Sequence, residues 1–134
     1  MRVLLDTPVW SAALRRTQDP PGNLRRQLEG LIVQGVVELI GPIRQEVLSG
    51  IKNPATFENV REQLRLFPDL PIVTEDYEEA AAAFNRCQSR GIQGSFVDFL
   101  ICAVSVRHGL HIFTEDRDFD AYATVLPIHL YRPS

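Results

Sequence analysis

Apolar and polar residues follow two different patterns along this chain. Short, continuous apolar runs predict buried strands at residues 3–5, 36–40, 70–73, 111–114 and 128–131. Longer segments, in which apolar residues recur every three or four positions, predict helices at residues 24–33, 41–51, 56–67, 75–90 and 96–108. Shorter helices are predicted to begin near Pro8 and to end near Tyr122. This alternation is typical of an α/β domain with a mainly parallel sheet, here of about five strands.

The segment from Phe96 to His108 is apolar on nearly every side, which predicts a helix buried at the centre of the fold. It contains Cys102, and the other cysteine, Cys87, lies in the helical segment before it. Two cysteines are too few for a zinc site or a disulfide-stabilised scaffold. They are therefore predicted to be free, partly buried thiols.

Length and composition limit the classes of protein to which the chain can belong. Its 134 residues suffice for one domain, and a chain that is 45% hydrophobic and 23% charged is not disordered. The longest apolar stretch, residues 99–106, is shorter than the roughly 20 residues of a membrane-spanning helix. The apolar run at the start ends at Asp6, sooner than in a signal peptide. We expect residues 1–134 to form a single, soluble, cytoplasmic domain.

Charge is distributed unevenly along the chain. The formal net charge of −3 argues against indiscriminate binding of nucleic acids. Residues 1–67 carry nine basic and seven acidic side chains, whereas residues 68–134 carry five and ten. Thirteen of the fourteen basic residues are arginines, which suit bidentate contacts with phosphate. The composition therefore leaves selective recognition of a phosphate-containing substrate open.

Four carboxylates follow, or lie near, the carboxyl ends of the predicted strands. Asp6 comes directly after the first strand, and Asp116 lies two residues beyond the strand at 111–114. Glu46 is early in the helix that follows the second strand, and Asp98 is in the first turn of the buried helix. Because open α/β sheets bind ligands outside the carboxyl ends of their strands, we expect these four side chains to share one rim.

Each of these acids, taken alone, has a structural explanation. Asp6, Asp98 and Asp116 stand where they can cap a helix, and Glu46 can be a solvated helix residue. Together, however, four acids on one rim repel one another unless cations neutralise them. Oxygen ligands suit Mg²⁺ or Mn²⁺, and no histidine or cysteine stands at a comparable position. Two cations in a carboxylate pocket stabilise the attacking and leaving oxygens of phosphoryl transfer, so the sequence predicts a phosphodiester site.

Four motifs carry a resemblance to a known family. They are Val3-Leu4-Leu5-Asp6-Thr7, Gln45-Glu46-Val47-Leu48-Ser49-Gly50, Asp98-Phe99-Leu100-Ile101-Cys102-Ala103 and Thr114-Glu115-Asp116-Arg117-Asp118-Phe119. In this order and at these separations, they resemble the PIN domain and, more narrowly, the VapC-type toxins of bacterial and archaeal toxin–antitoxin pairs. The resemblance covers the whole chain. The chain departs from the family pattern at Pro8, where a non-proline residue is more usual, and in its unusually acidic fourth motif.

The resemblance implies a fold, an activity and partners. The fold is a three-layer α/β/α arrangement around a mainly parallel sheet of about five strands. The activity is endoribonucleolytic hydrolysis with Mg²⁺ or Mn²⁺, giving 5′-phosphate and 3′-hydroxyl ends, and the acids of the site are Asp6, Glu46, Asp98 and Asp116. Asp6 and Asp98 would be the principal metal ligands. Glu46 and Asp116 would hold the metals directly or through water, and one of them would accept the proton of the attacking water. The partners are a cognate antitoxin protein and a second copy of the chain in a homodimer.

Residues beside these motifs have more than one candidate role. Thr7, Ser95 and Thr114 can hydrogen-bond the scissile phosphate or orient the acids, or can serve only in turns and caps. In the fourth motif, Asp118 and Asp120 compete with Asp116 for the metal. The spacing of Thr114 and Asp116 matches the family best, which leaves Asp118 as an outer-shell residue.

Other side chains are candidates for contacts with RNA or a partner. Trp10 can stack on a base, although core packing is the commoner role. Four arginines near the predicted entrance can bind the RNA backbone or form a solvated basic face, namely Arg15, Arg16, Arg25 and Arg26. An apolar helical stripe can lie at a dimer surface or face the core, and it consists of Phe57, Val60, Leu64 and Phe67.

Two other functions stay open on the sequence alone. A haloacid-dehalogenase-like phosphatase also has an aspartate after its first strand, but it requires a second aspartate two residues later, where this chain has Pro8. A catalytically inactive PIN-like module that binds RNA or protein is the other alternative. The presence of all four acids argues against it, because a module without catalysis need not keep a repelling cluster.

Overall fold

The computed structural model describes residues 1–14 and 22–132. In chain order, the elements are β1 (Val3–Leu5), α1 (Thr7–Leu14), α2 (Asn23–Gln34), β2 (Val37–Glu38), α3 (Gly41–Leu48), α4 (Pro54–Leu64), α5 (Thr74–Gln88), α6 (Phe96–His108), β3 (His111–Phe113), α7 (Asp118–Ala123) and β4 (His129–Leu130). Every predicted helix is present, with ends that differ by a few residues from those that the sequence predicts. Gly35 and Gly109 end α2 and α6 with φ values of 73° and 66°, a left-handed conformation that glycine adopts without strain.

In the described part of the chain, four strands form one parallel sheet in the order β2-β1-β3-β4. The central pair, β1 and β3, joins Val3–Leu5 to His111–Phe113, so segments far apart in the sequence lie side by side. All three residues of β1 are fully buried. Because successive side chains of a strand point to opposite faces, both faces of the sheet are covered. This arrangement confirms the predicted α/β fold with helices on both sides of a parallel sheet.

Residues 70–73, which the sequence predicts as a strand, do not form one. A single bridge joins Asp69 to Leu39, and the N–H of Leu70 donates to the carbonyl oxygen of Leu39 at 2.8 Å. The pairing stops there for two reasons. The neighbouring chain turns into α3 at Gly41, and Pro71 has no N–H to donate. The described residues therefore contain four strands and one bridge in place of about five strands.

The core is built around α6, in which every residue from Phe99 to Ser105 is buried, as its apolar sequence predicts. Both cysteines are buried and free, which confirms the prediction for Cys87 and Cys102. Among the described residues, no helix is both long and apolar enough to cross a membrane.

For two features, the sequence leaves a surface role and core packing open, and the structure shows core packing. Trp10 is fully buried, with its ring centroid 5.0 Å from that of Phe67, so it packs in the core and cannot stack on a base. Three of the four residues of the apolar stripe also pack in the core, because Val60 and Leu64 of α4 are buried and Phe67, just beyond that helix, packs against Trp10. Phe57 is half-buried. A dimer surface therefore has to be sought elsewhere.

Candidate active site

The carboxyl ends of β1 and β3 open into a cleft of about 650 Å³. All four predicted acids, Asp6, Glu46, Asp98 and Asp116, line it. Asp6 directly follows β1, Asp116 comes shortly after β3, Glu46 lies on α3, and Asp98 is in the first turn of α6. The structure thus brings together side chains from four separate parts of the chain, at the rim of the sheet where the sequence predicts them.

Asp6 is the most deeply placed of these acids, with only 5% of its surface exposed. Its Oδ1 accepts a hydrogen bond from the N–H of Thr7, and its Oδ2 accepts one from the hydroxyl of Thr114, both at 2.8 Å. Burial raises the pKa of Asp6, and the nearby charges of Asp98 and Asp116 raise it further, while the two hydrogen bonds partly offset this. The charged form of Asp6 is therefore costly unless positive charge is near.

Asp98 is half-buried at the start of α6, where the hydroxyl oxygen of Ser95 accepts a hydrogen bond from its backbone N–H at 3.1 Å. The hydroxyl of Tyr122 donates to Asp98 Oδ2 at 2.7 Å. Burial raises the pKa of Asp98, and the charges of Asp116 and Asp118 add to this, although the hydroxyls of Tyr122 and Ser95 lower it in part. As for Asp6, the charged form of Asp98 is therefore costly unless positive charge is near.

Asp116 is exposed at the opening of the cleft and is held by its own loop. Its backbone N–H donates to the hydroxyl oxygen of Thr114 at 2.9 Å, and its Oδ1 accepts from the N–H of Asp118, also at 2.9 Å. Neither Asp118 nor Asp120 is among the described residues that line the cleft, and Asp120 forms an ion pair with Arg132. In the fourth motif, the side chain of Asp116 is the one placed to reach a ligand.

Glu46 is exposed on α3, and its Oε1 accepts a hydrogen bond from the hydroxyl of Thr7 at 2.7 Å. Thr7 therefore contacts two of the acids, since its N–H also donates to Asp6. Thr114 likewise bridges Asp6 and the backbone of Asp116. The sequence leaves two roles open for Thr7, Thr114 and Ser95. Both threonines make the contacts needed to orient the acids, whereas Ser95 caps α6.

None of the four arginines that the sequence offers for RNA contacts is among the described residues that line the cleft. Arg15 and Arg16 lie outside the described residues. Arg25 pairs with Glu29 at 3.2 Å, Arg26 is exposed on α2, and neither is among the described residues that line the cleft. The solvated basic face, the alternative for this pair, fits these positions.

Sequence reasoning missed Tyr122, which it treats only as the end of a short helix. The structure shows its hydroxyl on Asp98. The available signal was indirect: a buried tyrosine needs a partner for its hydroxyl, and a carboxylate was predicted nearby. No spacing in the sequence identifies which carboxylate that is.

The donor set suits a divalent cation, although among the described residues no three acidic, histidine or cysteine side chains stand close enough to enclose one. Oε2 of Glu46 and Oδ2 of Asp116 accept no hydrogen bond from the described residues. Mg²⁺ typically binds one or two carboxylates directly and keeps several waters, so an open, oxygen-only cleft of this size fits a hydrated cation. Burial and, to a smaller extent, repulsion by the other acids raise the pKa of Asp6 and Asp98, and a cation would favour the charged form of both.

Comparisons with known proteins identify the family. The family model described as the PIN domain matches residues 3–125, and the chain therefore belongs to the PIN domain family. A protein named ribonuclease VapC11, from Mycobacterium tuberculosis, is 29% identical over 126 residues, which cover 92% of this chain and 92% of that protein. Membership in this family excludes the alternative of a haloacid-dehalogenase-like phosphatase.

Solved structures share the fold. VapBC2 from Rickettsia felis, bound to a promoter DNA fragment, matches with a TM-score of 0.79 and 13% identity over 100% of both chains. VapC20 from M. tuberculosis, described as a toxin that cleaves the sarcin–ricin loop, matches with a TM-score of 0.68 and 20% identity over 94% of this chain and 98% of that one. At these identities, the likeness establishes the architecture only.

Proposed function

We propose that this chain is a divalent-metal-dependent endoribonuclease and the toxin of a toxin–antitoxin pair. The observation that carries the proposal is the convergence of Asp6, Glu46, Asp98 and Asp116 on one cleft. Membership in the PIN domain family supports it, as does the similarity to a relative that is named a ribonuclease.

In this proposal, the four acids have different roles in metal binding and proton transfer. Asp6 and Asp98 are the principal ligands of Mg²⁺ or Mn²⁺, and Asp116 completes the set from the loop after β3. When bound, the cation lowers the pKa of a coordinated water and neutralises charge on the scissile phosphate. Glu46 accepts the proton of the attacking water at Oε2, the oxygen to which the hydroxyl of Thr7 does not donate.

The charge of the cleft makes the cation necessary for substrate binding as well as for chemistry. Four carboxylates line the space that an RNA phosphodiester has to enter, and at a few ångströms each pair of like charges costs about 1 kcal/mol even in water. Thr7 and Thr114 keep the acids in place while the substrate enters, because their hydrogen bonds involve protein atoms alone. Without a cation, we expect the cleft to repel RNA.

The direct test is cleavage of a structured RNA by the full chain in Mg²⁺, in Mn²⁺ and in excess EDTA. We expect cleavage with either cation and none in EDTA, and the Asp98→Asn variant, purified identically, controls for contaminating nucleases. Undiminished cleavage in EDTA would contradict the metal mechanism. Specific RNA binding with no cleavage under any cation would favour the inactive PIN-like module instead.

The antitoxin is a further part of the proposal and rests on the resemblance to VapC-type toxins. We expect a short reading frame next to the gene to encode a small protein that forms a stable complex with this chain. Co-expression followed by size-exclusion chromatography tests for the complex, and loss of RNA cleavage on complex formation tests its function. A neighbouring product that neither binds the chain nor inhibits cleavage would contradict this part.

The homodimer is also proposed, with a surface other than the α4 stripe. Helices α5 and α6 border an apolar groove of about 530 Å³, with Phe96 79% exposed and Tyr77 57% exposed at its edge. Exposed aromatic side chains grouped in this way are typical of interaction sites. Pro42 and Val97 line both the groove and the cleft of the acids, so a second copy bound there would lie beside the active site.

Light scattering at several protein concentrations tests the dimer. We expect a dimer for the wild type and a monomer for Phe96→Asp. Leu66→Asp is the matched control, because Leu66 is 78% exposed but does not line the groove. A monomeric wild type at high micromolar concentration, or equal effects of the two variants, would contradict the proposed surface.

A further inference from the structure

Tyr122 is an unusual member of the core because its ring is fully buried while its hydroxyl reaches the active site. The ring packs against Phe99 and Phe119, with centroids 4.9 Å and 5.0 Å away. The hydroxyl donates a hydrogen bond of 2.7 Å to Oδ2 of Asp98. A buried hydroxyl needs a partner, and here the partner is one of the acids that line the cleft.

Gly94, in the irregular segment before α6, makes room for this hydroxyl. A Cβ atom at Gly94 would lie 2.2 Å from the Tyr122 oxygen, 2.7 Å from its Cζ and 3.0 Å from Cε2 of Phe99. Gly94 is not among the glycines with positive φ, so its backbone conformation does not require glycine. The requirement is steric, because any side chain at this position would displace the tyrosine.

The same tyrosine connects two of the acids through secondary structure. It lies on α7, the helix that begins directly after the Asp116 loop, and the N–H of Phe119 in this helix donates to the carbonyl oxygen of Asp116 at 3.2 Å. The hydroxyl of Tyr122 contacts Asp98, at the start of α6. Tyr122 therefore ties the element that follows Asp116 to the side chain of Asp98.

We propose that Tyr122 is a positioning residue of the active site: its hydroxyl fixes the Asp98 carboxylate relative to Asp116, and Gly94 is required for this contact. The inference rests on the proposed function, in which Asp98 is a metal ligand. Tyr122 is not among the described residues that line the cleft, so it acts through its hydrogen bond to Asp98. Hydrogen bonds that orient a metal ligand are commonly worth a factor of ten to a hundred in metal affinity.

The test is Mn²⁺ binding to the full chain, measured by the loss of the free Mn²⁺ signal in electron paramagnetic resonance. Tyr122→Phe keeps the ring and its packing but removes the hydroxyl, and we expect it to weaken Mn²⁺ binding about tenfold. Circular dichroism at the same temperature checks that the variant is folded. Ser89→Ala is the matched control, since it removes an exposed hydroxyl at the end of α5 that donates to the carbonyl oxygen of Arg86 at 2.8 Å, and it should leave Mn²⁺ affinity unchanged.

A second variant approaches the same contact from the other side. Gly94→Ala should also weaken Mn²⁺ binding, because its methyl group displaces the tyrosine. Introduced into Tyr122→Phe, it should cause little further loss of affinity, because the hydroxyl that it would displace is already absent. Additive losses in the double variant would contradict the proposed link between Gly94 and the Tyr122 hydroxyl.

The outcomes separate this inference from the proposed function. If Asp98→Asn loses Mn²⁺ binding while Tyr122→Phe binds as the wild type does, the positioning role is wrong and the metal site stands. If Tyr122→Phe and Gly94→Ala both fail to fold, Tyr122 is a core residue only, and the inference is overturned. If the wild type binds no Mn²⁺, the proposed function itself fails, and the positioning role fails with it.

Discussion

Thr114 and Asp6, 108 positions apart in the sequence, share a hydrogen bond of 2.8 Å at the end of the central strand pair. Both side chains are buried, at 7% and 5% exposure. The same hydroxyl accepts the backbone N–H of Asp116 at 2.9 Å. One hydroxyl group therefore holds the acid after β1 and the loop after β3 in a fixed relation.

Replacing Thr114 by valine should impair both the site and the fold. Thr114→Val preserves the shape of the side chain but leaves Oδ2 of the buried Asp6 without its donor, which costs about 1–3 kcal/mol of unfolding free energy. We expect at least a tenfold loss of Mn²⁺ affinity as well. Urea unfolding, followed by the fluorescence of the single tryptophan, measures the first effect. Thr114→Ser keeps the hydroxyl, and a serine variant as impaired as the valine variant would contradict the explanation.

Asp98→Asn should stabilise the protein in the absence of metal. Burial and nearby charges raise the pKa of Asp98, so its charged form is less favourable in the folded state than in the unfolded state. An asparagine removes that charge and can still accept the hydrogen bond from Tyr122. In EDTA, we expect the variant to gain about 1 kcal/mol of stability, the scale of one like-charge pair in water.

Thermal melts with and without Mg²⁺ provide the measurement. The variant should gain less than the wild type from added Mg²⁺ and should cleave no RNA. Glu78→Gln, which removes a charge from an exposed position on α5, should change neither property. A lower melting temperature in EDTA together with intact RNA cleavage would mean that Asp98 is only a capping residue.

Among the three aspartates of the fourth motif, Asp116 should matter most. Asp116→Asn should abolish cleavage, because Asp116 alone of the three is among the described residues that line the cleft. Asp118→Asn should retain a measurable share of activity, since the contribution of Asp118 to Asp116 is a backbone N–H, which the substitution keeps. Asp120→Asn disrupts only an exposed ion pair with Arg132. Cleavage rates of the three variants rank them, and the reverse order would move the fourth ligand to another residue.

The ion pair of Asp76 and Arg107 should make stability depend on pH in the acid range. Asp76 is 1% exposed and accepts hydrogen bonds from Nε and Nη2 of Arg107 at 2.6 Å and 2.8 Å. The Arg107 guanidinium holds the pKa of Asp76 below its usual value of 3.8. The folded state therefore binds fewer protons than the unfolded state just below that value, so the stabilisation is complete above pH 3.8 and is lost as the pH falls through the folded-state pKa.

Asp76→Asn should lower the unfolding free energy by about 2 kcal/mol at pH 7, the usual range for hydrogen bonds to a charged group. The difference from the wild type should shrink once the pH lies well below 3.8. Urea titrations of both proteins at pH 7 and pH 3 measure the two differences. Equal differences at the two values would show that the charge of Asp76 contributes nothing.

The sequence locates the acids of the site because it reveals the strands. Apolar runs identify β1 and β3, and parallel strands in an α/β fold present their carboxyl ends at one rim, so the positions of Asp6 and Asp116 follow without knowledge of side-chain packing. Asp98 follows in the same way from the start of an apolar helix. Their roles as metal ligands stay a prediction until binding is measured.

What the sequence cannot supply are contacts between elements. The hydrogen bond from Tyr122 to Asp98 depends on how α7 packs beside α6, and no periodicity within either helix encodes it. The incorrect prediction of a strand at 70–73 has a similar cause. The apolar residues there suit a strand, but the neighbouring chain turns into α3 at Gly41, so strand pairing cannot continue. The stripe on α4 was ambiguous because a helix facing the core and one facing a partner share the same spacing.

The pairing of β1 with β3 also bears on how the protein is made. Translation produces Asp6 early, but β3, Thr114 and Asp116 follow about a hundred residues later, and the cleft has no second wall until they have left the ribosomal tunnel. A ribosome that stalls before these residues emerge therefore carries a nascent chain with an incomplete active site. If the protein is the ribonuclease proposed here, it cannot attack the message or the ribosome that is producing it until Asp116 has emerged.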